Sequence, residues 1–379
     1  VSKLFLPVFI GLGAVLAPIA CTSMQGPARG DGAAAVGPLD GFPQAPASPV
    51  LPREALTRIG LASCANEERA QPAFTALRAA QPDLVILAGD NVYGSSTPAD
   101  PQLSDLRAAY FQQSRRPEFA ALVSQVPTLA VWDDHDFGSN DAGGDFKYKH
   151  LAQQMFDAFW RIAPDDPRAH SDGVFGSWII GPVGRRTQII LLDTRYWRSP
   201  LKRSDAPGAP GRERYLPDED PSRTMLGATQ WAWLAKELQK PAELRLVVSS
   251  VQLAADGHGW ERWGNFPHER QRFYDLIKAS GAKGVVVLSG DRHHASINVG
   301  GRDTVGYPVY DMTASSINMP WSLGAEEAGP NRVAGPIGKE NFGFLTIDWA
   351  SRRLTLEVRD AQGASAFSRA VEFAEIGAG

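Results

Sequence analysis

Four short stretches of this 379-residue chain end in side chains of the kinds that bind metal ions. Ser63-Cys64 closes an apolar run around Ile59, and Gly89-Asp90-Asn91-Val92-Tyr93 follows "LVILA". Asp133-Asp134-His135-Asp136, with Asn140 close behind, follows "TLAV", and Gly290-Asp291-Arg292-His293-His294 follows "VVVLS". Each residue has an ordinary reading on its own: Cys64 as a small core residue, Asp90 as a turn or cap residue, Tyr93 as a packing residue with a satisfied hydroxyl. The run "WDDHD" is different. Its three carboxylates, crowded around an imidazole, repel one another unless a cation or solvent compensates. Thiol, carboxylate, phenol, imidazole and amide groups at four separate strand ends therefore point to a metal site. Carboxylates and Asn suit hard cations, whereas a thiolate with a phenolate suits Fe(III), which keeps both deprotonated. The mixture suggests unlike metals sharing Asp90 as a bridge, an arrangement that clamps the attacking and leaving oxygens in phosphoryl transfer. Competing chemistries lack their motifs: the chain has no G-x-S-x-G elbow, no G-x-x-x-x-G-K-[ST] loop, no H-E-x-x-H and no C-x-x-C.

The elements that must position these residues are buried strands. "LTRIGLAS", "DLVILAGD", "VPTLAVWDDHD", "TQIILLDTR", "LRLVVSS" and "GVVVLSGDRHH" are apolar runs ending in polar residues, separated by helical spacing over 66–80, 146–162, 227–239 and 267–280. This alternation predicts an α/β core, and ligands gather at the carboxyl ends of such strands. Strand alternation past "VVVLS" aims Asp291 and His293 one way and His294 the other. The stretch 341–363 alternates around Ala350–Arg352 and predicts an antiparallel hairpin closing the sheet. Residues 198–226 and 321–340 read as long loops. In "GWERWGNF", Trp260, Trp263 and Phe266 are candidates to line the mouth of the site and meet the leaving group, with surface-loop packing as the alternative.

Together, "LASC", "LAGDNVYG", "WDDHDFGSND", "LLDTRYWR" and "VVLSGDRHH" resemble the PhoD-like alkaline phosphatase/phosphodiesterase family of the calcineurin-like metallophosphoesterases, over roughly residues 56–375. The resemblance implies a mixed α/β, four-layer αββα sandwich. It implies Fe(III) held by Cys64, Asp90 and Tyr93, with Asp90 bridging to Ca²⁺, one or two calcium ions in all, and Asn140, Asp291 and His293 completing the ligands. Asp134 and His135 align with the asparagine and histidine of the superfamily's G-N-H motif, which makes them the catalytic candidates, His135 as proton donor to the leaving oxygen. Arg195, with Asp193, is a supporting and substrate-binding candidate. The superfamily's further histidine ligand is not evident in "VVSSVQLAADGHGW"; Gln252 and His258 occupy that neighbourhood. The implied activity is metal-dependent hydrolysis of phosphate monoesters or diesters. The alternatives are phospholipase-D-like cleavage of lipid head groups and a non-catalytic metal- or phosphate-binding surface lipoprotein.

Charge and composition agree with a small-molecule enzyme. The chain carries 38 Lys and Arg against 42 Asp and Glu, a net charge of −4, and gives no nucleic-acid-binding signature. Two cysteines exclude a disulfide scaffold and a four-cysteine zinc site. Lys3 followed by the apolar run Leu4–Ala20 predicts a Sec-type signal peptide over 1–20. Cys21 then stands where a lipoprotein signal carries its lipidated cysteine, an ordinary cleaved leader being the other reading. Residues 21–55, rich in Gly, Ala and Pro, read as a flexible tether, and 56–379 as one catalytic domain. A periplasmic or membrane-anchored monomer is the expectation.

Overall fold

The computed structural model describes residue 39 and residues 41–94, 100–322 and 329–379. The expected leader and Cys21 lie outside these residues.

The described chain builds thirteen strands into two mixed sheets. The first has the order β13-β12-β11-β1-β2-β3, using β1 (Arg58–Ala62), β2 (Leu84–Ala88), β3 (Thr128–Val131), β11 (Asn341–Asp348), β12 (Arg353–Asp360) and β13 (Ser365–Glu372). The second has the order β10-β8-β9-β7-β6-β5-β4, using β4 (Gly176–Ile180), β5 (Thr187–Leu191), β6 (Leu244–Ser249), β7 (Val285–Ser289), β8 (Ala295–Gly300), β9 (Val309–Ala314) and β10 (Arg332–Ile337). β1, β2 and β3 pair in parallel, as do β5, β6, β7 and β9. Every residue of β2, β5, β6 and β7 is buried, the pattern of parallel strands covered on both faces.

Helices connect the strands: α1 (Pro72–Ala79), α2 (Ser104–Gln113), α3 (Pro117–Gln125), the single turn α4 (Asp134–Phe137), α5 (Lys149–Phe159), α6 (Gly227–Glu237), α7 (Pro267–Ser280) and the short α8 (Arg302–Val305). The longest, α7, starts on Pro267 and stops at Gly281, whose φ of 68° is the left-handed cap that glycine adopts without cost.

The layering follows from which face each residue presents. In β1, a side chain at Gly60 would run into Leu77 of α1, so that face lies under the helix. On the opposite face, a side chain at Gly343 of β11 would meet Met312 and Ala314 of β9, so the two sheets pack directly together. Outside the second sheet, Gln188 of β5 donates to the Glu237 carbonyl of α6 at 3.0 Å, and Tyr274 of α7 packs on Gly300 of β8. Helix, sheet, sheet and helix stack in that order.

Several expectations change in detail. The C-terminal hairpin is present as β11–β12 and antiparallel to β1, but β13 extends it to three strands. The expected loop 321–340 contains β10, and β4, β8 and β9 join the sheet where no strand was anticipated. Part of the expected tether packs on the domain: Phe42 and Ala45 are buried, Phe42 lies edge-on to Tyr110, and the Ala45 N–H donates to the Phe159 carbonyl at 2.9 Å. Apolar contacts outweigh the Pro- and Gly-rich composition there.

Candidate active site

The candidate ligands lie where parallel strands of both sheets end. Cys64 follows β1, Asp90 follows β2, Asp134 and His135 open α4 after β3, and Asp291 and His293 follow β7. The ends are in close contact: a side chain at Gly290 would sit 2.6 Å from Ser63 Oγ and 2.8 Å from the Ala88 carbonyl. Cys64, Asp90, Asp291 and His293 all have left-handed backbone, with φ of 58°, 50°, 68° and 55°. Such φ values in non-glycine residues cost on the order of 1 kcal/mol or more each and concentrate at functional sites. Asp291 and His293 therefore face the site through a left-handed turn rather than through strand alternation.

Donor atoms converge around Asp90. Cys64 Sγ lies 3.5 Å and Tyr93 OH 3.2 Å from Asp90 Oδ2, and Tyr93 OH lies 2.8 Å from His293 Nε2. Ligand atoms of Cys64, Asp90 and His293 fall within 4.8 Å of one another, as do those of Asp90, Asp134 and His135, so Asp90 belongs to both groups. Ser315, just past β9, accepts the His293 N–H at 3.0 Å and lies 3.0 Å from Cys64 Sγ, linking the two ligands. The His135 N–H reaches Asp90 Oδ1 at 3.3 Å, and the His135 ring packs 4.3 Å from the Tyr93 ring. Asp90, Asp134, His135, Asp291 and His293 line a cavity of about 230 Å³, and the exposed Asn140 stands at its edge.

The electrostatics fit a cation. Burial pushes the Cys64 thiol up to about 11, against the hydrogen bond from Ser315. Burial, then the charge of Asp134, raises Asp90 well above the usual carboxylate range, and burial with the charges of Asp133 and Glu261 does the same to Asp291. Burial also raises Tyr93 and lowers His293 to about 4. The anionic ligands are thus pushed toward protonation and the imidazole toward neutrality. A bound metal ion reverses the first trend and uses the second, since it needs deprotonated acids and a neutral imidazole. The donor set of thiol, phenol, carboxylates and imidazole fits such an ion. Asp134 differs: burial would raise it, but the charges of His135 and Arg195 and the Asp141 N–H at 2.6 Å hold it below its ordinary value.

Two of the three carboxylates in "WDDHD" are structural. Asp136 accepts the Asp133 N–H at 2.5 Å and two N–H groups of Asn91, closing the turn. Asp133 Oδ1 accepts from Arg195 Nε and from Ser250 Oγ, both at 2.5 Å. The repulsion within the segment is therefore offset partly by a protein cation.

That places Arg195 differently from expectation. It is fully buried, bound to Asp133 and, through NH1, to Glu261 at 2.8 Å, so it supports the α4 turn and does not face substrate. Trp263 is also fully buried, its Nε1 donating to Ser249 Oγ at 2.9 Å, and Phe266 is buried beside it; neither lines the cavity. Trp260 does line it. Gln252 and His258 are hydrogen-bonded to each other within the core. His258 Nδ1 accepts the Trp260 N–H at 3.2 Å, its Nε2 lies 3.1 Å from Gln252 Oε1, and the Gln252 amide donates to Thr313 at 2.8 Å. His294 is buried and hydrogen-bonded to the Arg292 carbonyl at 3.0 Å.

Sequence reasoning missed Arg214, Glu261, Arg292 and Trp321, which also line the cavity. Arg292 lies inside "GDRHH" and was open to notice; Arg214 and Trp321 lie on loops without periodicity. A third acidic group, Asp134 with Asp141 and Glu261, has cationic partners of its own: Arg214 holds Asp141 at 2.7 Å, and Arg195 and Arg198 hold Glu261 at 2.8 and 3.0 Å.

Facing mixed sheets with a thiol–carboxylate–phenol–imidazole cluster at the ends of their parallel strands define a metallophosphoesterase-type fold. Among solved structures, one of PhoD matches with a TM-score of 0.65 and 18% identity, covering 85% of this chain and 69% of that one. A purple acid phosphatase, PPD1 from yellow lupin seeds, matches with a TM-score of 0.56 and 14% identity, covering 87% of this chain and 56% of that one. The PhoD-like phosphatase family model matches residues 59–328, and the chain belongs to that family. It is also 25% identical over 257 residues to alkaline phosphatase D of Bacillus subtilis (strain 168), which covers 63% of this chain but 41% of that protein. The chain thus matches about two-fifths of that relative's length.

Proposed function

We propose that this PhoD-like phosphatase hydrolyses phosphate monoesters or diesters with metal ions held at the Asp90 cluster. The observation that carries this reading is the convergence of Cys64, Asp90, Tyr93 and His293 donor atoms, with Asp90 and His293 lining one cavity beside Asp134 and His135. Cys64, Asp90 and Tyr93 would hold Fe(III), and Asn140, Asp291 and His293 would complete the ligands of the iron and calcium ions. When bound, such ions supply Lewis acidity that polarises the phosphoryl oxygens and favours ionisation of the attacking water.

The remaining work falls to side chains. His135 is half-buried at the cavity wall, held by its backbone bond to Asp90 and by the Tyr93 ring, and donates a proton to the leaving oxygen. Arg292 and Arg214 line the same cavity and offset the negative charge of the ester. Asp134 stays ionised beside Asp90 and His135. Ser315, already accepting from His293, has its own proton free to donate to a Cys64 thiolate.

Export through the Leu4–Ala20 leader, with or without a lipid at Cys21, belongs to the same proposal and rests on sequence alone. It suits the use of small phosphate esters from outside the cell. The test is turnover of an aryl phosphate monoester and an aryl phosphate diester by the metal-loaded protein. Release of product from at least one is the expected result; no turnover of either, at full metal content, contradicts the reading.

A further inference from the structure

One wall of the cavity carries two indole rings that the hydrolytic step does not require. Trp260 and Trp321 meet edge to face, with ring centroids 5.4 Å apart at 82°. The Arg292 guanidinium carbon lies 5.5 Å from the centroid of each ring, within cation–π range. All three side chains line the cavity that holds Asp90, His135 and His293. They come from three separate segments: the loop after β6, the turn after β7 and the stretch before β10.

The backbone of both tryptophans is anchored. The Trp321 backbone N–H donates to the His293 carbonyl at 2.9 Å, which ties this segment to a proposed metal ligand. The Trp260 N–H donates to His258 Nδ1, which leaves Nε2 to donate to Gln252; Gln252 in turn donates to Thr313 in β9. His258 and Gln252 are buried, so this relay fixes the Trp260 backbone against the core of the second sheet. Both indoles nevertheless keep part of their surface exposed.

A partly exposed indole pair carrying a guanidinium offers π-faces to a flat substituent and little to an aliphatic polyol. Stacking on such a wall tolerates any planar ring, because every ring has a π-face. We propose that Trp260, Arg292 and Trp321 form a subsite for the organic part of the ester, selecting planar aromatic groups, aryl or nucleobase, over aliphatic alcohols. The inference rests on the phosphoesterase reading and gives it a substrate class.

Binding of non-hydrolysable phosphonates tests it without turnover and without the leaving-group reactivity that favours aryl esters. Calorimetry on the metal-loaded full chain compares phenylphosphonate with ethylphosphonate, which bear the same charged group. The subsite predicts that phenylphosphonate binds about tenfold tighter. It predicts that Trp260→Ala and Trp321→Leu each shrink that advantage to about threefold or less while ethylphosphonate binding stays unchanged, which also shows that the variants are folded. Equal binding of the two ligands by the unsubstituted protein, or an advantage that survives both substitutions, overturns the subsite alone. Failure of both phosphonates to bind overturns the phosphoesterase reading along with it.

Discussion

Arg195 Nε donates to Asp133 Oδ1 at 2.5 Å, and both side chains are fully buried. Asp133 is the residue on which the α4 turn begins, and that turn carries Asp134 and His135 into the cavity. The pair is thus a strut: its guanidinium also holds Glu261, and its carboxylate also takes the Ser250 hydroxyl. Removing one partner of a buried ion pair leaves an uncompensated charge and costs about 3–5 kcal/mol. Arg195→Ala is therefore expected to lose that much unfolding free energy in chemical denaturation. Arg195→Lys, which keeps the charge but not the two-pronged geometry, is expected to fall between.

Trp263 packs in the core rather than at the cavity. It is fully buried, edge-on to Trp231 at 6.0 Å between ring centroids. Trp263→Ala is expected to cost about 3–5 kcal/mol of stability while leaving KM for an aryl ester within about twofold. A large rise in KM with little loss of stability would return Trp263 to the substrate site.

Glu269 provides a pH test away from the cluster. Burial alone would raise its pKa, but the Thr224 hydroxyl, the Trp231 indole N–H, the Met225 N–H and Arg272 together hold it below the ordinary glutamate value. A carboxyl with a depressed folded-state pKa adds stability that is present above the unfolded pKa, about 4.3, and is lost as pH falls through the folded value. Glu269→Gln should therefore be less stable than the unsubstituted protein by about 1–3 kcal/mol at pH 7, with the gap closing below about pH 4. A gap that stays constant across that window contradicts the account.

Tyr93 tests the identity of the metal. With Fe(III) in the cluster, its phenolate gives the purified protein a visible charge-transfer band, and Tyr93→Phe abolishes it. A band unchanged by that substitution shows that the iron, or the tyrosine ligand, is misassigned.

Much of this site is legible in the sequence because buried parallel strands are long apolar runs, and the polar residues ending them have one place to go. Cys64, Asp90, His135 and His293 meet for that reason. What their order does not encode is which way each side chain turns. The left-handed φ of Asp291 and His293 depends on tertiary contact, and the inward turn of Arg195 depends on Asp133, 62 positions earlier. β9 escaped notice because Asp311 interrupts its apolar pattern; in the fold Asp311 is buried and accepts N–H groups of Leu253 and Ala254 and the Ser289 hydroxyl. Trp263 and Trp260 look alike in "GWERWGNF", and only the position of the short turn at Trp263–Asn265 sends one ring into the core and leaves the other at the cavity.

The central claim is that metal held by the Asp90 cluster is needed for phosphate ester hydrolysis. The most direct measurement is the rate of aryl phosphate hydrolysis before chelation, after removal of metal, and after iron and calcium are restored. The account predicts a loss of at least about 100-fold on removal, as expected when Lewis-acid stabilisation of several kcal/mol disappears, and recovery on reconstitution. A metal-free protein that keeps its full rate contradicts it.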